Sequence, residues 1–129
     1  MSHNPQIHTV TEVDRQERFP SHALVEVKKF RWLPFGTQSA VLLDISERGF
    51  KIEFTGEATI NPGDKFYLNI PLSPLGIQGP AKLYCQAECK WFDGDRFRFG
   101  GVFISLTATD ISIISQIVET LKERSNNFL

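Results

Sequence analysis

The residue types best suited to chemistry lie in one short segment, Asp44-Ile45-Ser46-Glu47-Arg48-Gly49. Asp44 and Ser46 are two residues apart at the end of an apolar run, so on a strand both side chains point to the same side. Gly49 can adopt a positive φ or let the backbone approach a ligand closely. Either these side chains cap a turn through bonds to the backbone, or they form one wall of a ligand site. The residue types alone favour the cap.

Catalytic constellations are missing around this segment. The three histidines, His3, His8 and His22, all precede the predicted strands, so a nucleophile–histidine pair would need His22 to reach into the fold. Acidic pairs such as Asp93 and Asp95 fall in turns, where carboxylates are normally solvated. The sequence also lacks a glycine-rich phosphate loop. We therefore predict no catalytic residues and a protein that is not an enzyme.

The two cysteines, Cys85 and Cys89, predict buried thiols rather than a disulfide or a metal site. On a strand, four residues span about 13 Å. A disulfide needs Cα atoms within about 7 Å of each other, so the two cannot pair. Their spacing is not that of a zinc knuckle, and the histidines lie outside the predicted fold. We expect no bound metal and no cofactor.

Alternation of apolar and polar residues predicts about six strands. They are expected to run from Leu24 towards Trp32 and over residues 38–45, 50–54, 65–70, 82–91 and 97–103, with an irregular loop over 71–80. Asp93-Gly94 is typical of a hairpin with a primed turn. Trp91 is in phase with Leu83 and Cys85, which predicts that its indole is buried in the core.

A different periodicity marks the end of the chain. Apolar residues recur at helical spacing from Ile111 to Leu121, and Thr107 with Asp110 resembles a capping box. Short antiparallel strands close most economically as a barrel, because closure removes exposed edges. We therefore predict a mainly β fold: a six-stranded antiparallel β-barrel with a C-terminal α-helix.

Length and charge restrict the class of partner. The 129 residues suit one domain, and 14 Lys+Arg against 15 Asp+Glu give a formal net charge of −1. A near-neutral chain lacks the positive groove that nucleic-acid polymers need. No apolar segment reaches the roughly 20 residues of a membrane span, and residues 1–6 do not resemble a secretion signal. We expect no membrane insertion and a cytoplasmic location.

Taken with the order of the strands, the Asp44–Gly49 segment resembles the second signature, Asp-x-Ser-x-x-Gly, of the PilZ domain family. The similarity covers about residues 14 to 122. It continues through the further segments Gly63–Leu68, Ala87–Trp91, Arg98–Phe103 and Leu106–Leu121. It implies a flexible arm over residues 1–13, a PilZ-like domain over 14–125 and a short tail over 126–129.

The resemblance implies a receptor for cyclic di-GMP, a bacterial second messenger. In the family, an Arg-x-x-x-Arg loop precedes the first strand and faces the Asp-x-Ser-x-x-Gly turn. Aligning Arg18-Phe19-Pro20 with the family's basic-aromatic-Pro run places Glu17 and Ser21 at the two signature arginine positions. The expected ligand-binding residues are therefore Arg15, Arg18, Asp44, Ser46 and Gly49. Trp91 could stack on a guanine if its indole were on the surface.

Two functions follow from this resemblance. The first is a non-enzymatic receptor and adaptor in the bacterial cytoplasm, which binds cyclic di-GMP and then an effector protein. The alternative is a degenerate module that no longer binds nucleotide and works through protein–protein contacts. Its expected contact surfaces are the Pro71–Pro80 loop and the exposed face of the helix.

Overall fold

The alternating segments fold as six antiparallel strands in a computed structural model that describes residues 19–29 and 35–127. The strands are β1 (Phe19–Lys28), β2 (Thr37–Ile45), β3 (Gly49–Phe54), β4 (Lys65–Pro71), β5 (Lys82–Asp93) and β6 (Arg98–Ile104). They close into a barrel in the order β1-β2-β3-β6-β5-β4. The helix α1 (Ala108–Asn127) follows, so the predicted fold class is confirmed.

Aromatic rings fill the centre of the barrel. Phe50, Phe66 and Phe99 are each at most 2 % exposed. Their ring centroids lie 5.5 to 6.2 Å apart, and each pair meets nearly edge to face. Such pairs contribute about 0.5–1.5 kcal/mol each beyond the burial of their area. The inward residues of all six strands therefore enclose an apolar core.

The helix packs against β1 and β5 and begins at a reciprocal cap. The Asp110 N–H donates to Thr107 Oγ1 at 3.0 Å, and the Thr107 N–H donates to Asp110 Oδ2 at 3.1 Å, which confirms the predicted capping box. Near the other end, Arg124 donates to the carbonyl oxygen of Leu75 at 2.9 Å. The segment after β4 is more ordered than predicted. It contains a 3-10 turn at Ser73–Leu75 and buries three apolar side chains, those of Leu72, Leu75 and Ile77.

Two predicted details of the strands are wrong. β1 begins at Phe19 rather than Leu24, because its pairing with β2 continues beyond an irregularity between Pro20 and Ala23. The β5–β6 hairpin is confirmed, but its connection spans residues 94–97, and the positive φ of 55° is at Phe97 rather than at Gly94. Asp93 Oδ1 accepts the Asp95 N–H at 3.0 Å, and this local turn begins the longer connection.

Cys85 and Cys89 are both buried free thiols on β5. Burial, with a smaller contribution from the Asp110 carboxylate, raises the pKa of the Cys85 thiol to about 12. Burial also raises the pKa of Cys89. Among the residues described, no cluster of histidine, cysteine and acidic side chains could hold a metal ion. The one α-helix in residues 19–29 and 35–127 is not apolar enough over its 20 residues to span a bilayer.

Candidate functional site

The turn between β2 and β3 is built around the hydroxyl of Ser46. Ser46 Oγ accepts the N–H groups of Arg48 at 3.3 Å and Gly49 at 3.2 Å, and its own proton points to the Gly49 carbonyl at 3.4 Å. The Ser46 N–H also donates to the Gly49 carbonyl at 2.8 Å. Ser46 is only 1 % exposed. Its side chain therefore caps the turn, as one of the two interpretations of the sequence has it.

Gly49 presses this turn against β6. A Cβ on Gly49 would overlap the carbonyl oxygen of Gly101, which is part of the strand backbone. Beside this contact, the Phe103 N–H of β6 donates a hydrogen bond to the Arg48 carbonyl at 3.0 Å. Only glycine allows β3 and β6 to approach this closely at the turn.

Asp44 points outward from β2 beside a lysine of β3. Its carboxylate lies 3.5 Å from Lys51 Nζ, and the side chains of Asp44 and Lys51 are 18 % and 35 % exposed. An irregularity between Leu42 and Asp44 sets this register. Ser46 thus holds the turn from inside, while Asp44 lies on the outer face with its carboxylate mostly buried beside Lys51.

Asp44, Lys51, Gly100 and Trp91 form one outer row across four neighbouring strands. Asp44 is paired with Lys51, Lys51 with Gly100, and Gly100 with Trp91. Adjacent strands are about 4.8 Å apart, so the row extends roughly 14 Å along the barrel surface. It combines a hydrogen-bond acceptor, a cation and an aromatic ring.

Trp91 lies on this row because β5 carries a bulge between Cys89 and Trp91. The extra residue shifts the alternation, so Trp91 is 40 % exposed and the prediction that it is buried in the core is wrong. Its indole packs against Gly100, where a Cβ would overlap the ring. Gly100 therefore makes room for the indole on the outer face.

The start of β1 lies beside the same turn. In the register of β1 with β2, Phe19 is opposite Ile45 and Pro20 is opposite Asp44. Asp44, Ser46 and Gly49 are thus brought together at the point where the described chain begins. The other two predicted site residues, Arg15 and Arg18, lie outside the described residues, as does the predicted arm over residues 1–13.

The turn is also connected to the C-terminal helix. Ser115 Oγ donates to Glu47 Oε2 at 3.0 Å. The two residues are far apart in the sequence, and no short-range pattern links them. Sequence reasoning also missed Lys51, although the alternation of β3 places it outward and could have pointed to it.

Comparison with known proteins gives one consistent result. The PilZ domain family matches residues 12–120. A search of curated proteins returned no match. Three solved structures share the fold at low sequence identity, which limits the likeness to architecture.

The first is the PilZ domain with c-di-GMP of YcgR from Escherichia coli, with a TM-score of 0.66 and 14 % identity over 88 % of this chain and 94 % of that one. The second is the Bacillus subtilis inhibitor of motility MotI/DgrA, at 0.64 and 13 % identity, covering 87 % of this chain and 51 % of that one. The PilZ domain of CeSA from a cellulose synthesizing bacterium scores 0.60 at 16 % identity, over 82 % of this chain and 98 % of the other. The PilZ domain family matches most of this chain, and the six strands close into a barrel. The chain belongs to the PilZ domain family.

Proposed function

We propose that this protein is a non-enzymatic receptor for cyclic di-GMP. The observation that carries the proposal is the pairing of Pro20 with Asp44, which starts β1 against the Asp44–Gly49 turn. Arg18 precedes Phe19 by one peptide bond, so its Cα is within about 3.8 Å of the Phe19 Cα. The arm that carries Arg15 and Arg18 therefore enters the barrel beside this turn. The proposal requires the guanidinium groups of Arg15 and Arg18 to face Asp44.

The chemistry of the outer row matches the parts of the ligand. Asp44 can accept the N–H donors of a guanine, and arginines can bind guanine O6 and N7 or clamp a phosphate. The exposed indole of Trp91 offers a flat surface for a base, as some family members do on this strand. Arg15, Arg18 and Lys51 together provide positive charge for a dianionic ligand. Cyclic di-GMP bound to the YcgR domain in a structure of the same fold supports this assignment.

Ser46 and Gly49 have an indirect part in this proposal. The Ser46 hydroxyl is buried and occupied by three backbone groups, so it fixes the shape of the turn. Gly49 lets the turn lie flat against β6. The ligand would then contact Asp44 and the exposed residues of the turn, Glu47 and Arg48. Binding of the ligand would hold Arg15 and Arg18 at the turn and create a surface for an effector protein in the bacterial cytoplasm.

Titration calorimetry with cyclic di-GMP tests the proposal. We expect saturable binding to the full chain, and Asp44→Ala and Arg18→Ala should each weaken it by about tenfold or more, as loss of a charge-assisted hydrogen bond does. Asp95→Ala and Arg96→Ala are matched controls, because both residues are exposed on the β5–β6 turn. They should leave affinity unchanged. The absence of heat at high micromolar ligand would contradict the proposal.

A second function, a module that acts only through protein contacts, is favoured by one further surface. Tyr67 and Tyr84 stack with ring centroids 5.8 Å apart and planes at 11°. Lys28 Nζ and Lys82 Nζ lie 5.7 Å and 5.6 Å from the centre of the Tyr84 ring. This tyrosine–lysine face is on β1, β4 and β5, and β4 is opposite β3 in the barrel. It can contact a partner without involving the Asp44–Gly49 turn.

A pull-down with and without cyclic di-GMP separates the two functions. Under the second function, the proteins captured are the same in both conditions and are lost when Lys28 and Lys82 are both replaced by Glu. The double variant Lys90→Glu with Arg96→Glu, an equal change in charge at two exposed positions outside this face and outside the helix, is the control. Capture that depends on the nucleotide would contradict the second function and support the receptor.

A further inference from the structure

One of the two signature arginine positions holds a buried serine rather than an arginine. Ser21 is 5 % exposed, and its hydroxyl accepts the Ala23 N–H at 3.1 Å. The side chain thus bonds within the irregular part of β1. Glu17 occupies the other position and adds a negative charge. Neither signature position therefore supplies a guanidinium to a dianionic ligand at this turn.

Arg48 is placed to supply a cation, because it belongs to the turn itself. Its backbone is fixed on both sides: the N–H donates to Ser46 Oγ at 3.3 Å, and the carbonyl accepts the Phe103 N–H at 3.0 Å. The side chain is exposed. A fixed backbone next to Ser46 and Gly49 limits the space that the guanidinium can reach to the surroundings of the turn.

The guanidinium of Arg48 is also available. Within residues 19–29 and 35–127, no carboxylate lies within ion-pair distance of it. The two nearest acidic residues in sequence are engaged elsewhere: Glu47 accepts from Ser115 at 3.0 Å, and Asp44 faces Lys51 at 3.5 Å. An exposed arginine with no internal partner can bind an anion without first breaking an ion pair.

We infer that Arg48 binds a phosphate of cyclic di-GMP and replaces the guanidinium that is missing at position 21. The inference rests on the proposed function and adds a ligand-contacting residue to it. The arginine fork presents parallel N–H donors to two phosphate oxygens, whereas a lysine offers a single charged point. The turn between β2 and β3 thus provides both the acceptor for a guanine and the cation for a phosphate.

Calorimetry on Arg48 variants tests this inference. Arg48→Gln keeps most of the side-chain length and removes the charge, so we expect it to raise Kd for cyclic di-GMP by about 10- to 100-fold. Arg48→Lys keeps the charge without the fork and should fall between the wild type and Arg48→Gln. Arg96→Gln, the same change at another exposed arginine, should leave Kd unchanged. Affinity of the wild type should also fall more steeply with added salt than that of Arg48→Gln.

The possible results separate this inference from the function on which it rests. If the wild type binds and Arg48→Gln binds equally well with the same salt dependence, the inference is overturned and the receptor function stands. If the wild type does not bind cyclic di-GMP, both are overturned. A lower affinity of Arg96→Gln matching that of Arg48→Gln would show a general effect of charge and would also overturn the inference. Thermal unfolding of each variant confirms that the fold is unchanged.

Discussion

The β2–β3 turn and the β5–β6 connection each join two neighbouring antiparallel strands, but different contacts hold them in place. The β2–β3 turn is held by the buried Ser46 hydroxyl, by close contact of Gly49 with Gly101 and by the bond from Ser115 to Glu47. The β5–β6 connection over residues 94–97 is largely exposed. Within the described residues, the one side-chain hydrogen bond of this connection is local: the Asp95 N–H donates to Asp93 Oδ1.

The difference lies in where the supporting atoms come from. The first three residues of the β5–β6 connection depend on local turn chemistry alone. Only its last residue is held from outside: the Phe97 carbonyl accepts the Phe54 N–H at 2.9 Å, and its ring packs against the core. The β2–β3 turn depends on β6 and α1, which come much later in the chain. A turn with a buried polar centre and remote contacts has one shape. A rigid shape is what a ligand site requires.

The strongest test of this difference between the two connections is to replace one glycine in each by alanine. In Gly49→Ala the new Cβ meets the backbone oxygen of Gly101, which cannot move without shifting β6, so we expect a loss of about 1–3 kcal/mol in unfolding free energy. In Gly94→Ala the nearest atom is a Phe92 ring carbon at 3.4 Å, an ordinary contact, and stability should change by less than about 0.5 kcal/mol. Urea unfolding measures both. Equal losses would contradict the comparison.

Removing the capping side chain should have the next largest effect. Ser46→Ala leaves two N–H groups, those of Arg48 and Gly49, without their acceptor, which costs about 1–3 kcal/mol when such groups are buried. The matched change at the other connection, Asp93→Ala, exposes the Asp95 N–H to water and should cost less than about 1 kcal/mol. Unfolding midpoints in urea give the two values. A larger loss for Asp93→Ala would be the contrary result.

The arms of the second hairpin should be more sensitive than its connection. In Gly100→Ala the new Cβ overlaps the Trp91 indole, and this ring is exposed enough to swing into solvent. We expect a loss of about 1 kcal/mol from the apolar contact given up. Gly56→Ala is the control, because no atom of the described residues lies within 4 Å of the position its Cβ would take. Thermal unfolding compares the two, and an unchanged midpoint for Gly100→Ala would contradict the packing described.

The smallest effect is expected where the turn meets the helix. Ser115→Ala removes the bond to Glu47, which is exposed to solvent, and alanine also favours the helix. The two effects nearly cancel, so stability should change by less than about 0.5 kcal/mol. Urea unfolding again provides the measurement, with Ser112→Ala on an exposed helix position as the control. A loss as large as that of Ser46→Ala would show that the helix contact is essential to the turn.

Most of the architecture was readable from the sequence, because burial alternates with polarity along each strand. Phe50, Ile52 and Phe54 all face the core as predicted. The capping pair Thr107 and Asp110 was recognisable for a different reason, because its bonds are local and depend on spacing alone.

Features that depend on a bulge or on distant residues were not readable. Trp91 has the phase of a core residue, and only the pairing of β5 with β6 reveals the extra residue that turns it outward. The sequence raised the capping role of Ser46 but could not show its burial, since the turn is covered by residues of later elements. The placement of Arg48 next to β6 is likewise a tertiary feature.

The order of the strands around the barrel has a consequence for how the protein folds. β3 pairs with β6, and β1 pairs with β4, which in each case lies much later in the chain. The barrel therefore closes through contacts between distant parts of the chain. Such topologies fold slowly, typically in milliseconds to seconds. On the ribosome, a nascent chain that ends before β6 has the Asp44–Gly49 turn but not the strand that supports it. A ligand that recognises the finished turn would therefore slow unfolding and leave the folding rate unchanged.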